Sequence, residues 1–322
     1  MVMNQIKQSA ASILSNVKKQ IKTVDSKQKH YYMMKPIKAG SYRPEETKGG
    51  LEAEIERLRV QVELSWNEEK HQLIQLGLEN GMSVLELGSG PGFLTERLLS
   101  LLPSSPITAV EINPELLAIA TERLTGGPAW RLQLVEGSIF ELDLPQNTYD
   151  FVIARFVFQH LENPVQAAKE ALRLLRPGGL LVVVDVDTAL WGITEPYFPQ
   201  LYPIYQKAER LQPSRGGNRL IGRQLWRILK TAGFETPRLE VYAYHSDELG
   251  IKAFDSQMSP NRLLPALHAG LISAQEFEMV EAAYCKFLES PNAYVLMLGL
   301  MAHSTKPMSD QHDGSVVDEL DA

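Results

Sequence analysis

The stretch GMSVLELGSGPGFLT, residues 81–95, decides the fold. Its first half is a short apolar run, and its second half sets glycine at 88, 90 and 92. FLTERLLSLL then continues at helical spacing, so the segment reads as strand, glycine turn and helix. The same alternation runs on downstream. ITAVEI (107–112) precedes PELLAIATERL, with Pro114 at a first helical turn. RLQLVEG (131–137) is a third run and YDFVIARF (149–156) a fourth, followed by the helical PVQAAKEALRLL, which stops at Arg176-Pro177-Gly178-Gly179. LLVVVDV (180–186) is almost wholly apolar, the mark of a strand buried on both faces. Strands alternating with helices predict an α/β, Rossmann-like doubly wound parallel sheet, whose ligand sits beyond the carboxyl ends of the strands.

Outward from this block the pattern changes. Residues 1–30 carry six lysines against Asp25, and Ile6, Ala10, Ile13, Leu14, Val17, Ile21 and Val24 recur at helical spacing, which predicts a basic amphipathic arm. Residues 31–81 are expected to form a helical cap, with the helix running from Gly50 to Leu78. The sheet domain is expected over 82–304, interrupted by helical lid insertions at about 188–233 and 246–291. RLEVYAYH (238–245) and AYVLMLGLMAH (293–303) read as its last strands, and the acidic 305–322 as a disordered tail.

Glycine lets the backbone approach a ligand closely, but which ligand depends on the spacing. A dinucleotide loop, G-x-G-x-x-G, would need glycine where Phe93 stands. A phosphate loop would need Lys followed by Ser or Thr after its last glycine, and here Gly92 is followed by Phe93 and Leu94. No Lys or Arg lies between Met82 and Thr95 to meet a phosphate. Glu111, at the end of the second run, suits the two hydroxyls of a ribose. A ribose-bearing ligand that carries little phosphate fits, and S-adenosylmethionine, with S-adenosylhomocysteine as product, matches that description.

At these residues the chain resembles class I S-adenosylmethionine-dependent methyltransferases, within the ubiquinone/menaquinone-methyltransferase-like group that acts on small molecules. VLELGSGPG, VEINPELLAIA, VEGSIFELDLP, YDFVIARFVFQHLENP and LRPGGLLVVVDVD resemble its motifs in order, across about residues 80–190. The resemblance implies a seven-stranded sheet with the last strand antiparallel. It places Gly88, Ser89, Gly90 and Gly92 under the methionine and ribose, Glu86 towards the ammonium group and Ile112 on the adenine. Ser138, following Gly137, stands where the family commonly has an acid for the adenine amine, with Ile139 as a backbone donor in its stead. Arg155 and Phe156 would line the sulfonium side. Arg57 and Gln61, four apart and so on one helix face, would meet the methionine carboxylate.

For the chemistry, His160 in FVFQHLENP is a candidate base or acceptor-orienting group, and Asp187 a candidate acceptor ligand. Trp191, Tyr197 and Tyr202, in an aromatic-rich stretch, suggest a flat or apolar small-molecule acceptor of the biosynthetic type, with His245 at its edge. A short peptide as acceptor, or a non-catalytic binding subunit on the same fold, are the rival readings, and a nicotinamide oxidoreductase lacks its third glycine. The formal net charge of −7 argues against a nucleic-acid partner. One cysteine, Cys285, excludes an internal disulfide, and no histidine pair has metal-ligand spacing. No run approaches the length of a membrane span. A cytoplasmic protein is expected, with a homodimer through the N-terminal helix as a possible assembly.

Overall fold

The computed structural model describes residues 40–46, 49–126, 130–190 and 192–308. The basic arm, the acidic tail from 309 and Trp191 lie outside the described residues. The sheet contains β1 Val84–Leu87, β2 Ile107–Glu111, β3 Leu132–Glu136, β4 Tyr149–Arg155, β5 Leu175–Asp185, β6 Gly192–Glu195, β7 Arg238–His245 and β8 Tyr294–Thr305. Their order is β3-β2-β1-β4-β5-β8, with β7 on the far side of β8. β1 is central and parallel to both neighbours, Leu85 standing opposite Thr108 and Val152. β8 runs antiparallel to β5 and β7, as the resemblance implied.

One strand departs from the seven expected. β6 pairs antiparallel with the start of β8, Gly192 opposite Met297. β8 has 12 residues, and β5 covers only its Leu300–Thr305 half, so the other half offers free backbone groups that β6 satisfies. GITE is too short to announce itself among the surrounding aromatics and prolines.

The helices are α1 Gly50–Gln75, α2 Phe93–Leu101, α3 Pro114–Arg123, α4 Pro164–Leu174, α5 Tyr202–Ala208, α6 Leu225–Ala232, α7 Ser246–Leu249, α8 Asp255–Met258, α9 Leu264–His268 and α10 Ala274–Glu289. Asn113 and Asn163 cap α3 and α4 by accepting backbone N–H bonds, each with proline at the next position. One sheet face packs on α4 and α6 through Ala167, Ala171, Leu225 and Leu229. The other packs on α1 and α2 through Trp66, Leu73, Leu94 and Leu98. α6 therefore belongs to the sheet's helix layer, although its sequence falls in the stretch expected to form the first insertion.

The remaining insertion segments build a separate lid core. Leu201 and Ile204 from the first pack against Leu263, Ala266, Phe277 and Val280 from the second. A further cluster, Leu64, Phe254, Phe287, Val295 and Met297, joins this lid to α1 and β8.

Candidate functional site

A cavity of about 600 Å³ opens beyond the carboxyl ends of β1 to β5. The turn after β1 forms its floor. Gly88 and Ser89 both donate backbone N–H bonds to Val110 O, at 2.8 and 2.9 Å, folding the loop back over β2. Gly88 has φ +75°, and a Cβ there would lie 2.4 Å from Val157 Cγ2. Gly90 has φ +56°, and a Cβ there would meet no atom within 4 Å. Its N–H donates to Glu111 Oε2 at 2.8 Å, while Asn113 N donates to Glu111 Oε1 at 2.8 Å. The Glu111 carboxylate is thus fixed on the cavity wall. Burial raises its pKa, against the opposing pull of these N–H bonds.

Glu86, at the end of β1, is buried and accepts a 2.6 Å bond from Thr95 Oγ1. Desolvation pushes its carboxyl up to about 8. Ile112, Ser138 and Ile139 continue the wall, Ser138 opening a tight turn in which Glu141 N donates to Ser138 O at 3.1 Å. Gly92 and Gly137 lie outside the wall. Gly92 starts α2, and a Cβ there would lie 2.8 Å from Leu124 Cδ1 and 3.2 Å from Ala120 Cβ, so this glycine lets α2 close on α3. Gly137 packs against Leu142 and donates its N–H to Glu111 O at 3.1 Å.

Arg57 and Gln61 of α1 both reach the wall. Arg57 donates to Glu54 from Nε at 2.8 Å and Nη2 at 2.6 Å, and Tyr42 Oη donates to the same carboxylate at 2.7 Å. Arg155 also lines the cavity, but its guanidinium is committed elsewhere. Its Nε donates to Glu69 Oε2 at 2.7 Å and its Nη2 to Ser65 Oγ at 2.9 Å and Gln61 O at 3.0 Å. Phe156 is held at φ +56°, an unusual value for an aromatic residue, with the Arg155 guanidinium 4.4 Å from its ring centre.

His160 faces the cavity with Nδ1 3.1 Å from Ser41 Oγ and 3.4 Å from Gln212 Nε2. An amide nitrogen only donates, so Nδ1 accepts and Nε2 carries the ring proton. Burial, then the nearby Arg219 and Arg57, depress its pKa to about 3. His160 is therefore a neutral imidazole whose Nε2 is a donor, which fits the orienting role and not that of a base.

Other expectations are corrected. Asp187 is buried outside the wall, where it accepts from Arg223 Nη2 at 2.8 Å and Ala189 N at 3.1 Å, because the chain turns away after β5 ends at Asp185. Tyr197 and Tyr202 are 65% and 58% exposed and do not line the cavity. His245 lies off the wall beside Tyr294, with Nε2 3.9 Å from Glu248. In their place the wall holds Tyr42, Arg219, Tyr244 and Arg262. Tyr244 stands in the alternating RLEVYAYH, Arg219 at the start of a helical pattern and Arg262 in a short 3-10 turn; none of these patterns marks the residue as part of the cavity.

Residues 85–183 match the family model described as a methyltransferase domain. Among curated relatives, malonyl-[acyl-carrier protein] O-methyltransferase of a Paenibacillus species is 28% identical over 48% of this chain and 55% of its own length. The ubiquinone/menaquinone biosynthesis C-methyltransferase of Hahella chejuensis is 30% identical over 40% of this chain and 51% of its own. The chain spans about half the length of the curated relatives it matches. Among solved structures, Haemonchus contortus phosphoethanolamine N-methyltransferase 2 in complex with S-adenosyl-L-methionine aligns at TM-score 0.49 and 18% identity, over 75% of this chain and 53% of that one.

Proposed function

We propose that this chain, whose residues 85–183 carry a methyltransferase domain, moves a methyl group from S-adenosylmethionine to a small-molecule acceptor in the same cavity. The observation that carries this reading is the Gly90–Glu111 pair: a glycine turn open towards the ligand, with a fixed carboxylate beside it and no cation in the turn. That carboxylate acceptor fits a ribose and a cationic ligand, and it disfavours a pyrophosphate. Glu111 would accept the ribose hydroxyls, Ile112, Ser138 and Ile139 would enclose the adenine, and Glu86 would face the ammonium end. Arg57 and Gln61 remain the candidates for the methionine carboxylate.

When bound, S-adenosylmethionine supplies a methyl group on a positively charged sulfur. The acceptor's lone pair forms the new bond to that carbon, the carbon–sulfur pair stays on sulfur, and a proton leaves the acceptor where it carried one. The chain's own work is to align the acceptor and to exclude water. Phe156 and Arg155 wall the cavity at the end of β4, and His160 Nε2 offers a hydrogen bond that orients the acceptor. The lid closes over this end. Of the residues behind the expected preference for an aromatic or apolar acceptor, Tyr197 and Tyr202 lie off the wall and Trp191 lies outside the described residues.

The test is thermal unfolding with S-adenosylhomocysteine and, separately, with NADH. A ligand at a hundred times its Kd adds about 2.7 kcal/mol, several degrees in midpoint for a chain of this size. A rise with S-adenosylhomocysteine alone is expected. A rise only with NADH, or none, would sink the reading.

A further inference from the structure

Three arginines from separate parts of the chain line the same cavity: Arg57 from α1, Arg219 from the segment before α6, and Arg262 from the lid segment before α9. Arg57 is neutralised by Glu54. Among the described residues the other two touch no carboxylate, although Glu209 and Asp185 act on Arg219, and Glu54 on Arg262, at longer range. The Arg219 side chain donates, among the described residues, to Gln159 Oε1 alone, at 3.4 Å, and Arg262 donates to Gln257 Oε1 at 2.6 Å and Gln257 O at 3.2 Å. No ion pair within 4.0 Å joins a carboxylate of the described residues to either.

Cations in a cavity wall with no carboxylate in contact repel one another and lose hydration, a cost that an incoming anion offsets. Burial lowers the pKa of Arg262 to about 9, and the charges of Arg57 and Arg219 push the same way. Burial also lowers that of Arg219. His160, neutral and with a proton on Nε2, adds a donor beside them, and nearby Tyr244 carries a hydroxyl.

We infer that the methyl acceptor carries an oxyanion, a carboxylate or a phosphate monoester, held between Arg219 and Arg262. The guanidinium fork matches both groups in geometry. The inference rests on the methyltransferase reading, and it names the acceptor's chemical class. The alternative occupant is the cofactor's own carboxylate. Arg219 and Arg262 come from the segments that follow β5 and β7, whereas the glycine turn, Glu86 and Glu111 belong to the first half of the sheet, so the pair sits on the acceptor side.

The experiment uses the full chain, with Arg219→Met and Arg262→Met. Binding of 3-hydroxybenzoate, phenyl phosphate and the neutral methyl 3-hydroxybenzoate is measured by calorimetry with saturating S-adenosylhomocysteine, and binding of S-adenosylhomocysteine is measured alone. At least one oxyanion is expected to bind about tenfold or more tightly than the neutral ester, and each variant to lose about tenfold or more of that affinity. Which of the two probes binds separates carboxylate from phosphate. S-adenosylhomocysteine affinity should stay within about twofold in both variants, which also shows that both are folded. Equal binding of the ester, or of neither oxyanion, overturns the inference. A parallel loss of S-adenosylhomocysteine affinity assigns the arginines to the cofactor and overturns it too. Oxyanion binding by a chain that does not bind S-adenosylhomocysteine would instead refute the methyltransferase reading and leave an anion site.

Discussion

Gly88 and Gly90 are two residues apart, yet an added methyl would meet opposite surroundings. At Gly88 it would overlap Val157, and at Gly90 it would stand in open space on the cavity wall. Both sites have positive φ, which costs an L-residue about 1–2 kcal/mol. Gly88→Ala should therefore lower the unfolding midpoint clearly more than Gly90→Ala, while both weaken S-adenosylhomocysteine binding; equal midpoints would contradict the packing account. Glu86 gives a pH prediction. Its folded pKa of about 8 lies above the ordinary 4.5, so between these values the folded chain binds more protons than the unfolded one. Its contribution is full below the unfolded value and is lost as pH rises through about 8. Asp185, pushed up to about 7 by burial, has the same sign; His160, depressed to about 3, acts in more acidic solution. In the ligand-free chain, Glu86→Gln should flatten the fall of midpoint between pH 6 and 8.5, and an unchanged slope would rule Glu86 out as its source. Glu86, Gly88, Gly90 and Glu111 were legible in the sequence because each sits at a fixed offset from a strand end. Asp187 was misread for the same reason: the offset places its backbone near the cleft, but the turn after β5 and Arg223 decide where its side chain goes.

Between elements, the strongest tie at the site joins β4 to α1. Arg155 and Glu69 have side chains 6% and 1% exposed, and Tyr242 of β7 donates to Glu69 Oε1 at 2.8 Å. Ser65 Oγ donates to the same carboxylate at 2.6 Å, so one acid gathers a strand, a helix and a second strand. Removing one member of a buried pair costs about 3–5 kcal/mol, because the other is left uncompensated. Glu69→Gln should therefore lower the midpoint on the order of 10 °C. Glu69→Leu combined with Arg155→Met should recover much of that loss, since neither charge is then stranded. A double variant as unstable as the single one would mean that the tie contributes more than charge compensation. The strands and helices themselves followed from apolar periodicity, and α1 matched its expected start at Gly50. β6 did not, because its existence depends on the unpaired half of β8, a partner about a hundred residues away that local pattern does not encode.

At the scale of the whole molecule, the lid is one body made of two stretches of sequence. Phe198, Leu201 and Ile204 precede α6 and β7, whereas Leu263, Ala266, Phe277 and Val280 follow them, yet they share a core distinct from the two that flank the sheet. Helical pattern announced insertions near the ligand edge; it could not say that they would pack on each other, nor that Arg219 and Arg262 would be brought to one cavity by that packing. On the proposed reading, function divides along the same line, with the cofactor held mainly by the contiguous first half of the sheet and the acceptor by the assembled lid. Phe277→Ala separates the two. Truncating a buried phenylalanine removes about 3–5 kcal/mol, here from the small lid core and not from the sheet. Amide exchange in 198–208 and 263–289 should accelerate by an order of magnitude or more, while β1, β4 and β5 keep their protection. S-adenosylhomocysteine affinity should change little, and the KM of an acceptor, once one is found, should rise more than kcat falls. Equal acceleration of exchange in the sheet would show that lid and sheet open as one unit, and the division of labour between them would have to be abandoned.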